Sequence, residues 1–320
     1  MKKILIINFL ILIILMLLLE ITFRVFFSYN VQGISKNILD TEKSYKINNT
    51  NLNYGKAFGV KIFTDSEGYR IKENQKLKNS KDILFVGGSV TFGPAVDVEK
   101  TFVSMINENS KFNVRNASVF GTNFENNIEI IKNHKNLRTN VDKIFINFPI
   151  DDIVSKKISL KKKKIKKEND LITRLKEIKI LNDVNIFIRS KSATYVFIKS
   201  IATDPQLNNY IHDLKLYENK LLLDQLESNL KKIDNIFDKK KLFFYSIPYA
   251  AQVKTNCDKS DKAEKLLKDI FSKYNYSIFF LKEEFCKENN SISYYLKNDP
   301  VHLSEKGHLI TFKILNKFIN

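Results

Sequence analysis

The stretch that decides the fold is residues 83–93, ILFVGGSVTFG. Four apolar residues end at two glycines, which is the pattern of a buried strand that stops at a tight turn. Glycine lets the backbone bend sharply and approach another molecule closely. This turn presents Ser89 at the end of the strand and at the start of the next helix, so its N–H group is able to face a developing negative charge.

Apolar runs alternate with helical patterns along the rest of the chain. Further strands are predicted at residues 114–119, 144–148, 242–247 and 278–281, with helices at 97–109, 123–136, 222–237, 266–271 and 304–319. Such alternation implies parallel strands joined by crossover helices. The predicted fold is therefore an α/β three-layer sandwich with a five-stranded parallel flavodoxin-like sheet, in which sites form beyond the C-terminal ends of the strands.

A long apolar segment opens the chain. Lys2 and Lys3 precede residues 4–19, which carry no charge, and the apolar character resumes after Glu20. A spanning helix needs about 20 mostly apolar residues, and basic residues before it keep its N-terminus in the cytoplasm. Residues 1–28 are therefore predicted to be an uncleaved signal anchor, a single transmembrane helix of the cytoplasmic (inner) membrane. A cleaved signal peptide is the competing interpretation, but no small-residue cleavage site precedes Gly33.

Two regions follow the predicted anchor. Residues 29–80 are polar and are interpreted as a stalk that leads into the domain, although residues 60–64 alternate like a short strand. Residues 81–320 form the α/β domain, with an insertion at 155–217 that includes a lysine-rich run at 156–167. For this run, a lid or substrate-shaping cap, a basic surface beside anionic lipid and a solvated helical face remain alternatives.

Charge and cysteine content narrow the functional classes. The formal net charge is +18, from 53 basic and 35 acidic residues. Such a balance can indicate nucleic acid or an anionic membrane, but the lysines are scattered, so no nucleic-acid partner is expected. Cys257 and Cys286 lie in no CxxC motif or Cys/His cluster, which argues against a metal site. An exported domain permits a disulfide between them, and two separate buried thiols are the alternative.

A second polar cluster lies near the C-terminus. A serine hydroxyl needs a nearby base to become a nucleophile, and an imidazole base needs an acceptor that fixes its tautomer. Asp299 and His302, three residues apart just before the last predicted helix, are able to supply both. The sequence contains four histidines. Of the other three, His134 and His212 are interpreted as surface residues and His308 as a structural residue of the final helix.

These segments resemble the conserved blocks of the SGNH (GDSL-like) hydrolases. The residues around Ser89 resemble the first block, and residues 299–308, DPVHLSEKGH, resemble the last. Residues 116–121, NASVFG, are similar to the second block, and residues 148–153, FPIDDI, stand where the third falls. The resemblance implies a triad of Ser89, His302 and Asp299, with an oxyanion hole formed by the N–H groups of Ser89 and Gly121. Residues 65–70, DSEGYR, look like a segment that precedes the domain in membrane-anchored relatives.

The chain departs from this family pattern at two positions. Gly88 stands where the family has an aspartate, and Asp151 stands where the third block supplies an asparagine donor. An ionised carboxylate only accepts hydrogen bonds. Three alternatives remain: Asn147 supplies the donor, burial keeps Asp151 protonated, or the hole lacks one donor at a cost of about 10²–10³ in rate.

The function implied by the resemblance is that of a serine esterase acting on acyl esters, with acylated cell-surface polysaccharide as one candidate substrate. The catalytic domain is expected on the extracytoplasmic side, and no cofactor or metal is required. Two alternatives use the same fold: an O-acyltransferase with the same triad, and a non-catalytic carbohydrate-binding or assembly protein.

Overall fold

The structure is a computed structural model that describes residues 2–26, 31–40, 45–133, 140–154, 179–255, 257, 262–287 and 291–319. His134 and the lysine-rich run at 156–167 lie outside the described residues, so the interpretations placed on them stay predictions.

Within the described residues, eight of the ten strands form the central sheet of the fold. In chain order the strands are β1 (Leu39–Asp40), β2 (Ile47–Asn48), β3 (Gly55–Ala57), β4 (Val60–Thr64), β5 (Arg70–Ile71), β6 (Asp82–Val86), β7 (Asn113–Asn116), β8 (Val141–Asn147), β9 (Leu242–Ser246) and β10 (Ile278–Phe280). β1 and β2 pair separately, and the others lie in the order β10-β9-β8-β6-β7-β5-β4-β3. The first five strands of this order are parallel, in the doubly wound arrangement expected from the sequence.

The sheet is wider than the five strands predicted. The additional strands β3, β4 and β5 come from the segment interpreted as a stalk, and they continue the sheet antiparallel from the edge of β7. Arg70 in β5 stands opposite Asn116 in β7. The unpaired N–H and C=O groups of an edge strand attract such pairing. β4 matches the short strand predicted at residues 60–64. Its pairing with the main sheet was not predicted, because β3 and β5 have only three and two residues and carry almost no hydrophobic pattern.

The described residues form twelve α-helices, several of which cover the two faces of the sheet. They are α1 (Lys2–Val25), α2 (Ser89–Phe92), α3 (Phe102–Asn109), α4 (Phe124–Asn133), α5 (Lys179–Arg189), α6 (Ala193–Thr203), α7 (Pro205–Leu214), α8 (Lys220–Asp234), α9 (Ala250–Thr255), α10 (Lys262–Lys273), α11 (Lys282–Phe285) and α12 (Glu305–Leu315). Short 3-10 helices lie at Lys36–Ile38, Val98–Lys100, Ile150–Ile153, Lys215–Glu218, Lys239–Lys241, Ser291–Tyr294 and Asn316–Phe318.

Strand β6 shows how the three layers form. Successive side chains of a strand point to opposite faces of the sheet. Leu84 and Val86 accordingly belong to the core beneath α4, α8 and α10. Ile83 and Phe85 belong to the core shared with α3, α9 and α12. The strand is buried on both faces, which is why its sequence is a continuous apolar run. The α/β three-layer class is confirmed.

Helix α1 is long and apolar enough to cross a membrane, with a mean hydropathy of 3.1 over its most apolar window. A signal sequence would have the same features. The C-terminal end of α1 contacts the helical hairpin of α5 and α6, where Phe23 stacks on Phe197 with 4.1 Å between ring centroids.

The two cysteines form a disulfide. Cys257 follows α9 and Cys286 follows α11, and their Cα atoms lie 5.7 Å apart, within the usual range for a bridge. Of the two alternatives left open by the sequence, the structure has the bridged one.

Candidate active site

Ser89 lies at the C-terminal edge of the sheet, as the first residue of α2. β6 ends at Val86, and two glycines form the turn. A Cβ atom added to Gly87 would come 2.7 Å from the Thr91 hydroxyl and 3.1 Å from the Cβ of Asn147. No larger residue fits there without movement, so the sharp turn that presents Ser89 depends on glycine at this position.

His302 reaches Ser89 from the loop before α12. Its Nε2 atom lies 2.8 Å from Oγ of Ser89, although the two residues are 213 positions apart in the chain. Its Nδ1 atom lies 2.9 Å and 3.0 Å from the two carboxylate oxygens of Asp299. The structure thus joins Ser89, His302 and Asp299 in one chain of hydrogen bonds, which is the geometry of a nucleophile, a base and an orienting carboxylate.

Asp299 is held as a carboxylate within the protein. Its Oδ1 atom accepts backbone N–H groups from Val301 at 3.0 Å and His302 at 2.8 Å. Burial alone would raise the pKa of this carboxyl group, but the imidazole of His302 and these N–H donors outweigh burial and lower the pKa below its usual value. An ionised Asp299 is able to hold the Nδ1–H tautomer of His302, which leaves Nε2 free to accept the serine proton.

The other described histidines do not reach Ser89. His308 is buried in α12, where its Nδ1 accepts the N–H of Phe102 at 3.3 Å. Burial lowers the pKa of His308 to about 3, so its ring is neutral and serves packing. The side chain of His212 is 75% exposed and lies 2.9 Å from Asp213.

The residues considered for the oxyanion hole take different positions. Gly121 forms the turn after β7 with a φ of 60°, which glycine adopts at little cost. Its carbonyl accepts a hydrogen bond from the Lys46 ammonium group. Asn147 is completely buried at the end of β8, and its Oδ1 accepts the N–H of Ile247 at 3.3 Å. Because Asn147 has no exposed surface, a substrate cannot reach its amide without movement of the protein.

Asp151 is exposed as a residue, and the neighbours of its carboxyl group include the hydroxyl of Tyr249 and the carboxylate of Asp213. Burial of that carboxyl group, followed by the like charge of Asp213, raises its pKa to about 6. Tyr249, whose own pKa is raised well above its usual value by burial, donates its hydroxyl to Asp213 at 2.9 Å. Positive charge on His302 acts in the opposite direction and lowers the pKa of Asp151.

Several residues around the site carried no signal in the sequence. Phe58, at the tip of the β3–β4 hairpin, contacts the ring of His302. Gln206 in α7 donates its side-chain amide to the carbonyl of Asp299 at 3.1 Å, and Asn298 donates to the hydroxyl of Ser200 in α6 at 2.8 Å. The described part of the 155–217 insertion therefore supports the Asp299–His302 loop. Isolated residues in segments without a motif give no pattern from which such contacts are predictable.

The DSEGYR segment has a structural position close to the site. The guanidinium group of Arg70 is buried and donates to the carbonyls of Phe92, Gly93 and Val96, with 2.7 Å to Val96. These carbonyls belong to the end of α2 and the loop after it. The segment therefore anchors the element that begins with Ser89.

Comparison with known proteins finds similar folds among solved structures. A lipase/acylhydrolase from Enterococcus faecalis is 13% identical, with 75% of this chain and 97% of that chain covered and a TM-score of 0.41. Axe2, an acetylxylan esterase from Geobacillus stearothermophilus, is 14% identical, with 77% and 97% covered and a TM-score of 0.40. TesA is 10% identical, with 73% and 96% covered and a TM-score of 0.37. No family model and no curated protein matches the sequence.

Identities this low leave function to be argued from the residues of this chain. In the part of the chain that the structure describes, no group of three or more His, Cys, Asp or Glu side chains is arranged to hold a metal ion.

Proposed function

We propose that this chain is a membrane-anchored serine ester hydrolase of the SGNH type. The observation that carries the proposal is the hydrogen-bonded chain from Oγ of Ser89 to Nε2 of His302 at 2.8 Å and from Nδ1 of His302 to Asp299 at 2.9 Å. Ser89 also begins a helical turn directly after a buried strand, so its hydroxyl stands at the sheet edge where α/β proteins bind ligands.

In the proposed mechanism, Nε2 of His302 takes the hydroxyl proton while Oγ of Ser89 attacks the acyl carbon of an ester. The carbonyl oxygen becomes an oxyanion, and the ester C–O bond then breaks as the imidazolium protonates the leaving alcohol. Water then attacks the acyl-serine while His302 takes one of its protons. The bond between the acyl carbon and Oγ breaks, the imidazolium returns the proton to Ser89, and a carboxylic acid is released. Asp299 orients His302 and stabilises its charged form throughout.

The oxyanion is proposed to be held by the backbone N–H groups of Ser89 and Gly121. N–H groups in the first turn of a helix have no partner inside the helix, which makes that of Ser89 suitable. For the third donor we favour the protonated form of Asp151 over Asn147, because Asn147 is fully buried. With a pKa of about 6, roughly one Asp151 in ten carries the proton at pH 7.

We propose that the domain lies on the extracytoplasmic side of the cytoplasmic membrane and acts there on an O-acylated cell-surface polysaccharide. Two features support this side: Lys2 and Lys3 precede the apolar segment, and a disulfide persists in oxidising compartments. A third feature favours an uncleaved anchor. Glu20 of α1 accepts the N–H groups of Ala193 and Thr194, so cleavage after α1 would remove the acceptor of these two N–H groups and leave only the N-cap Ser192 at the start of α6.

The proposal is tested by hydrolysis of a short-chain aryl ester by the full chain in detergent or nanodiscs. Ser89→Ala should abolish nucleophilic turnover and leave Tm unchanged, since the substitution removes one hydroxyl. Ser104→Ala, at a half-buried serine of α3 away from the triad, is the matched control and should retain the rate. Equal rates for Ser89→Ala and the parent would refute the catalytic assignment. A parent that consumes the ester only when a sugar acceptor is added would assign acyl transfer instead.

A further inference from the structure

The side chain of Glu20 has an unusual position for a membrane anchor. It lies within the apolar helix α1, five residues before the helix ends at Val25. At 1.5 Å per residue this distance is about 8 Å, and the whole apolar stretch of α1 is about as long as a bilayer core is thick. A carboxylate at such a depth is costly unless hydrogen-bond donors accompany it.

One donor is Arg24 of the same helix, whose Nε lies 2.7 Å from the Glu20 carboxylate. The others come from the turn between α5 and α6. Glu20 accepts the N–H of Ala193 at 2.7 Å, the N–H of Thr194 at 3.1 Å and the hydroxyl of Ser192 at 2.8 Å. Arg24, one turn further along α1, donates to the carbonyl of Lys191 at 2.6 Å. These contacts hold the turn at the depth of Glu20, so the turn enters the membrane interface wherever α1 spans the bilayer.

The surface around this turn is suited to lipid. Phe187 and Ile186 in the last turns of α5 are 64% and 52% exposed, and Ile198 in α6 is 58% exposed. Basic residues accompany them: the exposed Lys191 lies in the turn, and Arg189 ends α5 with its guanidinium group bound to Gln32. Large apolar side chains flanked by basic residues are the composition of segments that lie in the headgroup region of anionic bilayers.

We infer that the α5–α6 hairpin is a second membrane contact, in which Phe187, Ile186 and Ile198 enter the outer interface of the bilayer beside α1. The inference rests on the proposed anchoring by α1. α6 runs from this contact to Ser200, which holds Asn298 next to Asp299. Ser200 follows Ala193 by seven positions in α6, a rise of about 10 Å. The hairpin thus holds the candidate active site close to the membrane, which favours substrates attached to or lying on the bilayer.

The test measures lipid contact in the full chain reconstituted into vesicles of phosphatidylethanolamine and phosphatidylglycerol. An environment-sensitive fluorophore is attached to Phe187→Cys or to Ile198→Cys, while the native cysteines remain paired in their disulfide. The matched control is Leu77→Cys, since Leu77 is 55% exposed. Leu77 comes before β6 in the chain, on the side of the N-terminal ends of the parallel strands, whereas Ser89 follows their C-terminal ends.

Lipids brominated near the headgroup should quench the label at position 187 or 198 at least about twofold more strongly than the label at position 77. Equal quenching at all three positions would overturn the inference. The apolar side chains around Phe187 would then belong to another kind of surface, such as a contact with a protein partner. Two positions are labelled so that a poorly folded variant at one leaves the other informative. The measurement requires no enzyme activity and can be repeated with Ser89→Ala, so its failure is distinguishable from failure of the proposed function.

Discussion

The ring of Phe58 meets the imidazole of His302 edge to face, with 5.1 Å between the ring centroids and 76° between the planes. Phe58 occupies the tip of the β3–β4 hairpin with a φ of 51°, and Gly59 follows with a φ of 89°. A bulky residue in the left-handed region costs about 1–3 kcal/mol and persists only where its surroundings require it. The β3–β4 hairpin therefore holds an aromatic ring against one side of His302, the candidate base.

Phe58→Leu is expected to lower kcat by about 2–10-fold, because an aromatic pair contributes about 0.5–1.5 kcal/mol beyond its buried area. Leucine retains most of the buried volume, so Tm should change little. Steady-state ester hydrolysis and thermal unfolding measure the two effects. Phe58→Ala is the comparison and should lower Tm as well, since deletion of a buried phenylalanine costs about 3–5 kcal/mol. An unchanged kcat in Phe58→Leu would show that the ring does not position His302.

Asp151→Asn is expected to raise activity at neutral and alkaline pH. The pKa of Asp151 is about 6, so its donating, protonated form is lost as the pH rises through that value. Asparagine donates at every pH. The ratio of kcat/KM between variant and parent should therefore rise about tenfold per pH unit above 6, up to the 10²–10³ that one oxyanion donor provides. A ratio that does not depend on pH between about 5 and about 9, from one unit below to three units above the pKa of Asp151, would exclude protonated Asp151 as a donor.

Arg70→Met is expected to destabilise the protein by at least about 3 kcal/mol, because three buried carbonyls lose their donor and each costs about 1–3 kcal/mol. Activity should fall with stability, since these carbonyls belong to α2 and its following loop. Denaturant unfolding measures the change. Lys72→Met provides the control: Lys72 forms an exposed ion pair with Glu99 at 3.1 Å, and such pairs contribute about 0–1 kcal/mol. If Arg70→Met and Lys72→Met lose similar free energies of unfolding, Arg70 does not anchor α2 and its following loop as argued.

Removal of the disulfide is expected to destabilise the protein by about 3–4 kcal/mol, because the bridge closes a loop of 29 residues in the unfolded chain. Thermal unfolding of the parent with and without reductant measures the effect. The double variant Cys257→Ser with Cys286→Ser should unfold at the temperature of the reduced parent and should not respond to reductant. The reductant is used at a concentration that cleaves disulfides in an unfolded protein. If thermal unfolding of the parent does not change under this condition, the bridge is contradicted.

Local sequence patterns were sufficient for the parallel part of the fold. Most of the parallel strands were predictable because buried strands carry apolar runs, and the helices between them repeat with the period of an amphipathic helix. β7 is the exception, since it is buried although its sequence is NVRN. The apolar N-terminal helix was predictable because its length and composition alone suit a membrane. Gly87 and Ser89 were recognisable because a tight strand–helix turn demands small residues at that point.

Only the tertiary structure decided how distant segments combine. Ser89 and His302 are 213 residues apart, and no periodicity in either segment specifies their separation of one hydrogen bond. β3 to β5 join the sheet because the edge of β7 has backbone groups to satisfy. The alternation at residues 60–64 indicated a strand, but nothing in the segment specified its partner. The cap that Glu20 places on α6 is likewise a contact between segments 172–174 positions apart. Contacts of this kind depend on the packing of the whole chain, whereas strand and helix periods are properties of each segment.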